Sequence, residues 1–287
     1  MKTKGLYDII GSDFKSYHLT SLKKRVINNL KRPEARQPSV HKIVTKDNRI
    51  YKLLRVGKGN KGLVRLQKKI DIFNELDYVP KILFSNDDTI LLEFIEGASP
   101  DTSGADFARA FGEILADLHN RKVGSKPEGY LDEIKGNLDF LKNRGSIDDH
   151  SAEKIWEKYL SIKPDVIRTS MVYADINKPS NYIFTQDRKL FLIDLGSFQE
   201  GQVTGEFLLG GPIYNTIDRD VFKDAYLKSG GARFIFDHQQ FIAINNLIRL
   251  AAYYLRSYSS LSFILKIQLR WRLYYSRVLI GRLKEKC

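Results

Sequence analysis

Apolar and polar residues alternate through residues 39–56, SVHKIVTKDNRIYKLLRV, with the turn-forming tetrad KDNR between two runs. A period of two predicts a pair of strands joined at that turn. The glycine- and lysine-rich GKGNKG ends the pair, and the period then changes. Leu63, Leu66, Ile70, Phe73 and Leu76 recur at helical spacing, so a helix is expected there. VPKILFSNDDTILLEFIEG, from Val79 to Gly97, reads as two further strands about SNDD, which would close a small sheet. Linker-like residues follow up to Gly104, with Pro100 and Ser103 among them. The expected division is therefore a lobe of residues 1–97 and a second of residues 98–287.

Beyond the linker, Phe107, Phe111, Ile114, Leu115 and Leu118 share one stripe of a helix expected to be central to the second lobe. GYLDEIKGNLDFLKNR and DHSAEKIWEKYL predict more helix, and a strand, a loop and a hairpin come next. Residues 201–236 contain glycine and proline with weak periodicity, and are read as a long functional loop. Nearly all of the rest is expected to be helical. The fold class is α+β, with a small β-rich amino-terminal lobe and a larger helical carboxy-terminal one.

With 287 residues, 43% of them hydrophobic, the chain can bury a substantial core. Its single cysteine, Cys287, excludes an intrachain disulfide. No signal-peptide core begins the sequence and no uncharged run is long enough to span a bilayer, so a cytoplasmic protein is expected. The net charge of +13 implies an anionic partner without choosing one. His18, His41, His150 and His238 are scattered, with no zinc-binding spacing, and His119 reads as a helix-end packing residue.

The candidate chemistry lies in MVYADINKPSNYIFTQDRKLFLIDLGSF, residues 171–198, where two apolar runs each end in an acid, Asp175 and Asp194. A buried carboxylate without a partner is costly, so a role is sought for both. Phosphoryl transfer uses such a pair: one acid orients the attacking hydroxyl, while the other, with an asparagine, holds magnesium on the phosphates. Lys52 is notable on separate grounds. Alternation places it on one strand face with Ile50 and Leu54, an unusual setting for a solvated lysine.

Here the chain resembles the aminoglycoside phosphotransferase and choline kinase branch of the kinase-like superfamily, with YADINKPSN standing for H-x-D-x-x-x-x-N and DLGS for the D-F-G-like turn. The resemblance implies a two-lobed protein-kinase-like fold, ATP and magnesium as cofactors, and a hydroxyl acceptor on a sugar, lipid-linked glycan or other small molecule. It implies Asp175 as the catalytic base, Asn181 and Asp194 as metal ligands, Lys52 on the phosphates, and Glu93, Phe94 and Ile95 as the hinge that meets adenine. The chain departs from the pattern in several places. One extra residue separates Asp175 from Asn181, which leaves Asn177 as the alternative ligand, although Asn181 is favoured. Tyr173 replaces the histidine, and Ala174 stands where protein kinases have arginine. No glycine-rich loop precedes Lys52, and its helix glutamate is missing, with Gln67, Asp71 or Glu75 as substitutes. A pseudokinase that binds nucleotide without transfer is the rival reading.

In the tail, Lys266, Arg270, Arg277 and Lys284 fall in one helical sector beside an apolar sector of Phe263, Ile264, Ile267, Trp271, Tyr274 and Val278. Two readings stay open: a helix packed on the second lobe, or an interfacial helix on an anionic membrane surface at the inner membrane face. The second would suit the kinase-like enzymes that phosphorylate lipopolysaccharide sugars. Nucleic acid is disfavoured as a partner, because no reading module appears.

Overall fold

Residues 5–11, 13–19, 39–55, 70–121, 129–203, 212–259 and 270–287 are described by a computed structural model. They form two compact units: residues 1–100 with 180–197, and residues 101–179 with 198–287. The architecture is α+β.

The first unit is built on an antiparallel sheet of order β1-β2-β3-β5-β4, comprising β1 (Phe14–His18), β2 (Ser39–Thr45), β3 (Ile50–Arg55), β4 (Ile82–Ser85) and β5 (Thr89–Glu93). The expected strand pairs are present, and the KDNR turn places Asn48 at φ 61°, a left-handed conformation that asparagine tolerates. Sequence periodicity did not reveal α1 (Leu6–Ile10) or β1, which adds an edge strand paired with β2. Ile10 of α1 joins Ile43, Tyr51, Leu53 and Leu91 in a buried cluster. Of the expected helix over 63–76, the described part is α2 (Ile70–Glu75), with Phe73 buried; GKGNKG and residues 63–69 lie outside the described residues.

The second unit holds α3 (Ala105–Asn120), α4 (Tyr130–Asn143), α5 (Asp149–Ile162) and the ribbon of β6 (Thr169–Tyr173) with β9 (Phe198–Gln202). The predicted stripe of α3, Phe107 to Leu118, is buried. The hairpin of β7 (Tyr182–Phe184) and β8 (Leu190–Leu192) lies between β6 and β9 in sequence but belongs to the first unit. The expected long loop over 201–236 is corrected. After β9 come α6 (Pro212–Thr216), α7 (Arg219–Lys228) and α8 (Phe234–Asp237). Asp218 caps α7 by accepting from the backbone N–H groups of Asp220 and Val221. Phe222, Ala225 and Tyr226 then form its buried stripe, a signal too short to stand out among the surrounding polar residues.

α9 (Gln239–Ser259) is buried continuously from Phe241 through Ile248, so this part of the helix is enclosed on all sides. It packs against α4, α5 and α10 (Arg270–Lys286). On α10 the inward residues are Ser276, Leu279, Ile280 and Leu283, with the Ser276 hydroxyl donating to the Ala251 carbonyl at 3.0 Å. This stripe differs from the apolar sector read from the sequence, in which Tyr274 is 69% exposed. Packing on α9 selected a neighbouring face. Residues 260–269 of that reading lie outside the described residues. Among the described residues, no helix is long and apolar enough to cross a membrane.

Gly112 tests the approach of α3 to α7, and Gly136 an open helix face. A Cβ at Gly112 of α3 would lie 2.7 Å from the Phe222 carbonyl and 3.0 Å from the Tyr226 nitrogen, so Gly112→Ala should destabilise by about 1–3 kcal/mol. Gly136, exposed in α4, has nothing within 4 Å of such an atom. Gly136→Ala should stabilise by roughly 0.5–1 kcal/mol. Urea unfolding midpoints moving in opposite directions are the expected result.

Candidate functional site

Lys52 lies mid-way along β3, opposite Lys42 on β2 and Leu92 on β5. Its neighbours Tyr51 and Leu53 point into the core, so Lys52 takes the other, half-buried face with Ile50 and Leu54. Its Nζ donates to the Ile193 carbonyl at 2.9 Å. Burial pushes the Lys52 amine below its ordinary value of 10.5, and the charge of Asp194 works in the opposite direction. The missing helix glutamate thus has a substitute the sequence did not indicate: a carbonyl and a carboxylate from the segment after β8. Asp71 and Glu75 are exposed on α2, and Gln67 lies outside the described residues.

The β7–β8 hairpin brings Asn181 and Asp194 to the same end of the first unit. The Ile193 N–H donates to the Asn181 carbonyl at 2.9 Å, directly after the strand pair Tyr182–Leu192. Asn181 is buried at 7% exposure. Asp194 opens a tight turn, its Oδ2 accepting from the Ser197 hydroxyl at 3.0 Å and its carbonyl from the Ser197 N–H at 3.0 Å. A Cβ on Gly196 would lie 3.4 Å from Asp194 Oδ1. Asn177, the alternative to Asn181, belongs to the second unit.

The segment Glu93–Ile95 leaves the end of β5. The Glu93 N–H donates to the Lys81 carbonyl at 2.9 Å, and Ile95 is buried. Lys42 holds its Nζ 4.8 Å from the centroid of the Phe94 ring. Cross-strand partners share a face, so Lys42 and Lys52 put two cations on the face that runs toward this segment. Sequence reasoning missed Lys42, which the pairing across KDNR could have indicated. Downstream, a Cβ on Gly97 would fall 2.1 Å from the Phe184 carbonyl. The adjacent Ala98 pairs with Phe184 in both directions at 2.9 and 3.0 Å, so this approach needs glycine.

Asp175 belongs to the second unit, in the turn that follows β6. It is half-buried, with buried Ile176 anchoring the turn. The Lys178 ammonium lies against its carboxylate, and the Lys178 N–H donates to the Asp175 carbonyl at 3.2 Å. Lys178 was also missed, though acid and base three residues apart were visible in DINK. Tyr173 is fully buried against the Phe198 ring, 4.8 Å between centroids, and so holds the end of β6. His119 is buried, with its Nδ1 2.8 Å from the Tyr226 hydroxyl. It is a packing residue between α3 and α7.

Among the described residues, no group of three or more His, Cys, Asp or Glu side chains is placed to hold a metal. Magnesium does not require one, since it is commonly held by one or two protein oxygens together with phosphates and water. Asn181 and Asp194 are oxygen donors of that kind. The first unit thus carries the Lys52 and Lys42 cations on one sheet face and these two oxygen donors on the returning hairpin.

No protein-family model matches the sequence, and no curated protein matches it. Solved structures do match it. Macrolide 2'-phosphotransferase from Brachybacterium faecium aligns over 94% of this chain and 92% of its own, at 13% identity and a TM-score of 0.62. The fold is that of the kinase-like phosphotransferases. Its structural neighbours act on small molecules: an ADP-bound aminoglycoside phosphotransferase, APH(2'')-Ib, covers 93% of this chain and 98% of its own at 15% identity and TM-score 0.58. An ethanolamine kinase of Plasmodium vivax covers 94% and 83%, at 16% and 0.59.

The half-buried lysine has a pH signature. Its folded value lies below its unfolded value, so the unfolded chain binds the proton more tightly between the two. Relative stability is then complete above 10.5 and lost as pH falls through the depressed folded value. Urea unfolding should show stability rising across this alkaline window, and Lys52→Met should flatten the rise. A slope unchanged in the variant would assign it to other groups.

Proposed function

We propose that the protein is an ATP- and magnesium-dependent phosphotransferase acting on a hydroxyl of a small molecule, a sugar or a lipid-linked, lipopolysaccharide-like glycan. The observation that carries this reading is the half-buried Lys52 ammonium, held by the Ile193 carbonyl beside Asp194. A cation kept at that cost in a sheet suits an anionic ligand. The neighbours' names, which specify hydroxyl-phosphorylating enzymes and one bound ADP, support the same class.

In this reading Lys52 holds the nucleotide phosphates, and backbone at Glu93, Phe94 and Ile95 meets the base. Asn181 and Asp194 hold magnesium, which neutralises charge on the phosphates when bound. Asp175 orients the acceptor hydroxyl and receives its proton as the oxygen bonds to the γ-phosphorus and the bond to ADP breaks. Lys178 keeps the Asp175 carboxylate in place until the acceptor arrives. The contact is exposed on the lysine side and contributes no more than about 1 kcal/mol, so it yields readily.

The pseudokinase alternative shares Lys52 and Asp194 and differs only in turnover. An ATP-consumption screen over sugars and cell-envelope glycans separates the two. Asp194→Asn should weaken magnesium-dependent nucleotide binding and transfer together. Asp175→Asn should leave nucleotide affinity near wild type and reduce turnover by a factor on the order of 100 or more. Equal effects of both substitutions on nucleotide binding would refute the assigned roles, and absence of transfer to every acceptor would favour the pseudokinase.

An anionic membrane surface stays within the proposal as the place where a lipid-linked acceptor would be met. The exposed aromatic rings Tyr253 and Tyr274 and the exposed Arg277 and Arg282 support it. Co-sedimentation with anionic vesicles should be salt-sensitive and should fall in Tyr253→Ala/Tyr274→Ala. Equal recovery on neutral vesicles would argue against it.

A further inference from the structure

The second unit contains a cavity of about 640 Å³ between α7, α8, the first turns of α9 and the last turn of α10. None of Lys52, Asp175, Asn181 and Asp194 lines it. Its origin is local. α7 commits Phe222, Ala225 and Tyr226 to packing, so Arg219, Asp220 and Lys223 project from the exposed side. Phe222, Ile235 and Ile242, each 3% exposed, make an apolar floor. Lys223 holds its Nζ 5.4 Å from the centroid of Phe236, which also lines the cavity. Lys286 reaches it from the end of the chain, and Gln239 and Gln240 add amides.

We infer that this cavity is a binding site for a phosphomonoester carried on a compact body with one apolar side. The volume lies within the range of small-ligand sites. Three cationic side chains, Arg219, Lys223 and Lys286, line the cavity together with one carboxylate, Asp220, and this excess of positive charge suits a phosphomonoester dianion better than a carboxylate. Arginine and lysine are suited to phosphate oxygens, the amides to hydroxyls, and the floor to the apolar side. The inference depends only on the second unit and stands whether or not the phosphotransferase reading does.

Calorimetric titration of the whole protein with glucose 6-phosphate, glucose and dihexanoyl phosphatidic acid tests it. A phosphorylated probe should bind and glucose should not. Preference for glucose 6-phosphate would indicate a soluble ligand, and preference for the phosphatidic acid a lipid headgroup. Arg219→Gln/Lys223→Gln should weaken binding by about tenfold or more. Lys228→Gln, on the same helix but outside the cavity, should not, and Lys52→Met should leave the affinity unchanged, which excludes occupation of the nucleotide phosphate site. Lys286→Gln, at an exposed terminal turn, repeats the test should the double variant fail to fold. Absence of binding by either phosphorylated probe, equal binding of glucose, or equal loss in Lys228→Gln would overturn the assignment.

Discussion

An ammonium group removed from water must find compensation nearby, and Lys52 finds it in residues far along the chain. Its hydrogen bond to the Ile193 carbonyl joins positions 141 residues apart. The favourable field of Asp194 comes from the same segment. The partner of Lys52 therefore does not come from the strands of its own sheet. The β7–β8 hairpin has to return to it. Removing the partner of a desolvated charge is costly, so the return of the hairpin stabilises the first unit.

The return is secured elsewhere by backbone. Gly97 lets the strand end approach Phe184 more closely than any side chain would allow, and Ala98 pairs with Phe184 in both directions. On the hairpin's other strand, the Leu192 N–H donates to the Tyr78 carbonyl at 2.9 Å. These contacts fix the hairpin through backbone, without charge. Fully buried Leu192 and Tyr182 anchor the strands between them.

Much of this was legible from residue order. The period of two exposed the anomaly at Lys52, and the apolar run KLFLI before Asp194 marked a strand that must be covered. Partners distant in sequence were not legible. Nothing near Lys52 points to Ile193, because a carbonyl partner leaves no mark on residue type. Lys42 needed the register across KDNR, which the turn supplies only once its length is known. α7 was hidden because three buried positions in a ten-residue helix give a weak period. On α10, hydrophobicity alone favoured the sector containing Tyr274, whereas packing chose the stripe whose serine could satisfy a carbonyl of α9. The backbone bond that brings Asn181 next to the residue before Asp194 was equally invisible in the sequence.

The two carboxylates can now be compared as electrostatic problems. Asp194 is answered within the first unit by the Ser197 hydroxyl and the field of Lys52. Asp175 is answered within the second by Lys178, three residues further along the same turn. Each unit supplies a countercharge or donor for its own acid. The solutions differ in kind. The Asp194 contacts include a turn closed by backbone and hydroxyl, which resists displacement, whereas the Asp175 contact ends in an exposed lysine that water or a ligand can replace at little cost. The first arrangement holds a carboxylate still, and the second leaves a carboxylate able to exchange its partner.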